Sequence, residues 1–285
     1  MAETTGTNRE YRDRLFKFIF GNPQNKEWTL SLYNAVNGSH YTDASAIKLN
    51  TIENAVYMSM KNDVSFLIDN TMSFYEQQST FNPNMPMRFL IYAGMIYSKY
   101  VEESKHYHRY SSAQQKAPTP KCVCFYNGAT DKEDRITLSL SDSFDGESDI
   151  EVKVMMININ FGHNKALLDA CKPLKEYAWF VDKVRFYQQS TETLEEAVDA
   201  ALEELPDDSL IKPFLLANKA EVKRMCITEY DEARTFAEQR EEGREEGKLN
   251  TLIELVKDGI LTLTDAAKRA GMSVIEFETK TGLKA

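Results

Sequence analysis

Asp63, Glu76 and Gln78 are the residues whose types and spacing best suit chemistry, and they flank one sharp reversal, Asp69-Asn70. Asp and Asn tolerate positive φ, which fits them to a two-residue hairpin turn. Counting outward from that turn pairs 68 with 71, 64 with 75, and Asp63 with Glu76. Directly opposed residues share a sheet face, with Cβ atoms about 5 Å apart. Gln78, two residues further on, shares that face, while Val64, Phe66, Ile68, Ser73 and Tyr75 turn to the other. Two opposed carboxylates repel unless a cation or a proton lies between them. A hard divalent ion such as Mg²⁺ suits the place, because it takes oxygen ligands and tolerates one or two carboxylates. The Gln77 carbonyl lies between the two positions and offers a third oxygen. An ion held this way activates water and neutralises charge on a phosphate, which is metal-assisted hydrolysis. The same spacing also admits an ordinary hairpin, with Asp63 capping a turn and Glu76 paired to a Lys or Arg.

Several elements must position these residues. Leu15, Phe16, Ile19 and Phe20 fall on one helix face, Gly21-Asn22-Pro23 breaks the helix, and Trp28, Leu32 and Val36 stripe a second one. Alternation predicts strands at Val56–Met60 and Asp63–Ile68. A run from Met87 to about Val101 reads as a mostly buried helix, and Cys122–Tyr126 and Val152–Ile159 read as strands. Cys122-x-Cys124 is read as placing its thiols on opposite faces of its strand, and His163 as capping the helical region from about Asn164 to Leu205. The order of helix, strands, helix and strand predicts a mixed α/β core. From Glu229 to Lys248 the chain is a charged helix with the repeat EEGREEGK, and 265–273 resembles a helix-turn-helix step. The expected domains are a core at 10–205, an acidic helical connector at 206–249 and a small helical module at 250–285.

Charge distribution refines the picture. The net charge of −10 opposes nucleic-acid binding on average. Yet residues 191–250 hold 17 Asp or Glu against 8 Lys or Arg, so the acidity is concentrated late in the chain. Residues 81–125 hold six Lys or Arg, among them Arg88, Lys99, Lys105 and Arg109, against Glu102 and Glu103 alone. That middle stretch can face phosphate. With 285 residues, 42% of them apolar, the chain can bury a core without disulfides, and its four cysteines read as reduced thiols. With neither a long apolar run nor a signal-like start, the expectation is a cytoplasmic protein without membrane contact. His106-x-His108 reads as a solvated or phosphate-facing pair rather than a metal site.

The segments Met60-Lys-Asn-Asp63-Val-Ser-Phe66 and Tyr75-Glu76-Gln77-Gln78-Ser-Thr-Phe-Asn-Pro-Asn-Met-Pro-Met-Arg88 closely resemble the recombination-promoting nuclease/putative transposase family of the PD-(D/E)XK superfamily. The likeness extends to Phe16–Gly21, Lys26–Asn34, Phe125–Gly128, Ile157–Asn164, Thr228–Glu232 and the Glu-Glu-Gly repeats. The resemblance implies a restriction-endonuclease-like core, a mixed sheet flanked by helices, here with a helical C-terminal extension. It implies Mg²⁺ or a similar ion, such as Mn²⁺, on Asp63 and Glu76, and cleavage of DNA linked to recombination or mobile elements. Gln78 stands where the superfamily places Lys, a form usual in this family. An amide can orient water by hydrogen bonding but supplies no charge, so proton removal falls to the ion. Glu27 is a candidate third acid, its place implied by the superfamily's first core helix. Arg88 and Tyr92, four apart on one helix face, are candidates for bordering the site and contacting DNA, beside the plainer reading of a surface Arg and a core Tyr. Lys99, Lys105 and Arg109 would help hold the strand. The alternative is a catalytically inactive nuclease-fold protein that binds DNA or a protein partner, and strand transfer is weaker for want of an integrase-type triad. The Glu-Glu-Gly helix can also set contacts in a homo-oligomer.

Overall fold

A computed structural model of the chain describes residues 15–50, 64–103, 107, 110–191 and 193–283. The chain divides into two units, Met1–Tyr230 and Asp231–Ala285. The first is α/β. Among its described residues, six strands form one mixed sheet: β1 (Lys48–Asn50), β2 (Val64–Ile68), β3 (Thr71–Gln78), β4 (Thr119–Tyr126), β5 (Arg135–Ser139) and β6 (Lys153–Asn158). Their order is β1-β2-β3-β4-β6-β5. The first three strands are antiparallel neighbours, β3, β4 and β6 run parallel, and β5 returns antiparallel on β6. A parallel step needs a crossover, and helix α3 (Met85–Glu103) supplies it between β3 and β4.

The β2–β3 hairpin turns at Asp69-Asn70, where Asp69 takes φ 48°, the left-handed conformation that its short polar side chain tolerates. The register is that of a two-residue turn: Ile68 opposes Thr71 and Val64 opposes Tyr75. With the period of two, this divides the side chains between two apolar layers. Val64, Phe66, Ile68, Tyr75, Val123 and Phe125 face α1 (Leu15–Phe20), α2 (Lys26–Asn37) and α5 (Lys172–Gln188). Met72, Phe74, Cys124, Tyr126, Val154 and Met156 face α3 through Phe89, Tyr92 and Ile96. Burying each of these large side chains contributes about 1.5–3 kcal/mol, so a slip of one residue, which would exchange the faces, is strongly opposed.

The first layer also takes residues from α4 (Lys165–Ala170), α6 (Leu194–Glu204), α7 (Lys212–Ala217) and the start of α8 (Lys219–Lys257). Leu215, Val222 and Met225 belong to that core, so part of the expected connector at 206–249 packs within the first unit. The second unit contains the rest of α8, then α9 (Leu263–Ala270) and α10 (Val274–Thr281), around Leu252, Ala266, Ala267 and Phe277. Gly271 at φ 72° ends α9, and the Ser273 capping box starts α10, which gives the helix-turn-helix step its form.

Two expectations change. Cys122 and Cys124 are two apart and so lie on the same face, both against the α3 layer. Asn164, at φ 39°, occupies the N-cap of α4, while the His163 ring lies between Asp134 and Asp131. Strand β5 was not foreseen, because only Ile136 and Leu138 mark its inner face. The expected strand Val56–Met60 lies outside the described residues.

Candidate active site

The carboxyl ends of the parallel strands β3, β4 and β6 are Gln78, Tyr126 and Asn158, and open α/β sheets bind ligands beyond such ends. Even-numbered residues of β3 face α3, so Glu76 and Gln78 share that face with Phe74. Glu76 is a carboxylate only 2% exposed. Burial of a charge is tolerated where donors surround it, and the described residues include such donors. The Arg88 Nη2 atom lies 2.5 Å from Glu76 Oε1, and the Gln78 Nε2 amide donates to the same oxygen. Arg88 is placed by α3, which begins after Asn82-Pro83-Asn84, where the Asn84 N–H donates to Asn82 Oδ1 and the Arg88 N–H to the Asn84 carbonyl.

Tyr92, one turn further along α3, is 3% exposed; its hydroxyl donates to Ser65 Oγ at 3.0 Å and its ring meets Phe74 edge-on. This is the core placement that the sequence left open for it. Arg88, with a quarter of its side chain exposed, holds Glu76, which is the pairing expected of an ordinary hairpin. Lys99 lies on the exposed part of α3, 3.8 Å from Glu103. Asp63, Lys105, Arg109, His106 and His108 lie outside the described residues. Glu27 is exposed on α2 and lines a cavity with Ser31, Asn34, His40 and Asp43. None of Glu76, Gln77, Gln78, Arg88 and Tyr92 lines that cavity, so the structure groups Glu27 with the 38–45 loop.

Gln77 points its side chain to the opposite face. Its Nε2 donates to Asn127 Oδ1 at 2.6 Å, and Asn127 Nδ2 donates to the Tyr177 hydroxyl at 3.3 Å. Arg185 donates to the Asn127 carbonyl and to Asn160 Oδ1. Gln77 and Asn127 are almost wholly buried, so this network fixes the strand ends from behind. The peptide groups are fixed as well. Asn127 N–H donates to the Gln78 carbonyl at 3.1 Å, toward β4, so alternation turns the Gln77 carbonyl toward β2. Gly128 lets the loop close on β3: a Cβ there would lie 2.4 Å from the Ser79 carbonyl oxygen. Nearby, burial holds the Tyr75 phenol well above its ordinary value, and Tyr126 is raised for the same reason, so both stay protonated.

The donor chemistry fits a hard cation. Glu76 offers a carboxylate in a fixed position and Gln77 a peptide carbonyl, and such ions take both kinds of oxygen. Among the described residues, no three His, Cys, Asp or Glu side chains gather into a metal-binding group. Asn127, Asn160, Tyr177 and Arg185 were missed as supports by sequence reasoning. Asn127 enters the sequence reading only within the Phe125–Gly128 likeness, and Arg185 lies on a helix far along the chain with no local signal. Comparison with known proteins gives no significant match to a family model, a curated protein or a solved structure.

Proposed function

We propose that the chain is a divalent-cation-dependent DNA endonuclease with a restriction-endonuclease-like core. The observation that carries this reading is the buried Glu76 carboxylate at the carboxyl end of β3, contacted by Gln78 and Arg88 and backed by the Gln77–Asn127 pair. The order of helix, three antiparallel strands, helix and parallel strand is compatible with such a core. Asp63, Glu76 and the Gln77 carbonyl would hold Mg²⁺ or Mn²⁺, and that ion would supply an activated water and neutralise charge on the phosphate. Gln78 holds the Glu76 carboxylate in place through one amide group and can accept a hydrogen bond from water through its oxygen. Arg88 presents the planar fork of donors that matches a phosphate.

The competing reading is a protein of the same core that binds DNA or a partner without cutting. Its support is that Glu76 already has a cationic partner within the chain. Nicking of supercoiled plasmid with Mg²⁺ or Mn²⁺ separates the two. The nuclease reading expects nicking by the wild type, none in EDTA, and loss in both Asp63→Ala and Glu76→Ala. Equal nicking by all three proteins would mean a contaminant and remove the assignment.

Among the described residues, no helix is long and apolar enough to cross a membrane. DNA is the partner proposed.

A further inference from the structure

Resting on the nuclease reading, we propose that Arg88 is an exchangeable counter-ion: it holds Glu76 while no divalent cation is bound, and turns to a phosphate of the substrate when one arrives. Three observations converge. The first is the unequal burial of the pair, since the Glu76 side chain is 2% exposed and that of Arg88 25%. The carboxylate is fixed, whereas the guanidinium ends a long flexible stem with a path to water.

The second is the position of Arg88 in the first turn of α3, which starts at Met85. The amino end of a helix carries partial positive charge and disfavours a cation, so Arg88 is held there against the helix dipole by the Glu76 carboxylate. Weakening that attraction releases it.

The third is charge balance. Glu76 Oε1 receives both Arg88 and Gln78, so a cation approaching the carboxylate meets a guanidinium already 2.5 Å from that oxygen. Two cations sharing one carboxylate repel, and the surplus positive charge is matched by an anion with two oxygens to offer, which a phosphodiester has. A guanidinium makes this exchange well because its fork fits carboxylate and phosphate alike.

The test is direct binding of Mn²⁺ to the full chain at pH 8, read by calorimetry, for wild type, Arg88→Gln and Glu76→Gln. Taking away the competing guanidinium, with its charge-assisted hydrogen bond, is expected to tighten Mn²⁺ binding roughly tenfold in Arg88→Gln. A second readout uses duplex DNA binding. With Ca²⁺ present, Arg88→Gln is expected to bind several-fold more weakly than wild type; in EDTA the two should bind alike, because Arg88 is then engaged by Glu76. Unchanged or weaker Mn²⁺ binding in Arg88→Gln, with binding abolished in Glu76→Gln, overturns the exchange and leaves the site standing. Wild-type Mn²⁺ binding in Glu76→Gln overturns the site itself. If Arg88→Gln does not fold, Arg88→Lys keeps the charge without the fork and is expected to bind Mn²⁺ about two to three times more tightly. Equal or weaker binding there overturns the exchange.

Discussion

Removing the charge from one side of the Glu76–Arg88 pair should cost far more than removing it from the other. In Arg88→Met the nearly buried carboxylate keeps the Gln78 amide and is deprived of the guanidinium. Breaking a buried pair costs about 3–5 kcal/mol, and the quarter exposure of Arg88 argues for the lower end, about 3 kcal/mol. In Glu76→Gln the amide occupies nearly the same volume, and the longer, more exposed partner can turn to water. The cost there should be that of one hydrogen bond to a charged group, about 1.5 kcal/mol. The double variant has neither charge and is expected to lose about 2 kcal/mol, which leaves a coupling of about 2–3 kcal/mol between the two positions. Urea unfolding in EDTA, followed by tryptophan fluorescence, measures all three. Both tryptophans, Trp28 and Trp179, pack against the core of the first unit, so the signal reports that unit and not the second. A loss below about 0.5 kcal/mol in Arg88→Met, the range of ordinary surface substitutions, would refute the reasoning. So would a Glu76→Gln variant less stable than Arg88→Met.

Other expectations concern the supports of the site. Asn127→Ala removes the side-chain acceptor Oδ1 from the buried Gln77 amide and should cost about 1–3 kcal/mol in the same unfolding assay; a neutral result would show that the amide pair does not hold the strand ends. Asp69→Val places a β-branched residue at φ 48° and should cost about 1–2 kcal/mol, whereas Asp69→Asn should be close to neutral; equal stability of the two would contradict the turn assignment. Burial pushes the Cys122 thiol up to about 11. The raised value means less thiolate at pH 8, so iodoacetamide should modify Cys122 roughly a hundredfold more slowly than a free thiol, with the rate rising as pH climbs toward 11. Mass spectrometry follows the labelling, and a rate equal to glutathione would contradict the burial.

The hairpin was legible because its signals are local. Asp69-Asn70 states a turn, and the period of two on either side then sorts Phe66 and Tyr75 from Phe74 and Glu76 without reference to any distant residue. Arg88 and Tyr92 were legible as a pair on one helix face, but their partners were not. Whether Arg88 meets phosphate or Glu76, and whether Tyr92 borders a cleft or fills a core, depends on how far α3 sinks onto the sheet, which spacing alone does not say. The network behind Gln77 was hidden for another reason. It joins 77 to 127, 177 and 185, and a buried, hydrogen-bonded amide looks in sequence like any polar residue at a strand end. Acidic composition at 191–250 likewise marked surface and not separateness, since Val222 and Met225 face the core between exposed charges.

Crystals soaked in Mn²⁺ and recorded at a wavelength where that ion scatters anomalously would test the central claim most directly. An anomalous peak is expected about 2.0–2.3 Å from a Glu76 carboxylate oxygen and the Gln77 carbonyl oxygen, with the Arg88 guanidinium displaced from Glu76. Glu76 still paired with Arg88 at saturating Mn²⁺, with no peak at the carboxyl end of β3, would contradict it.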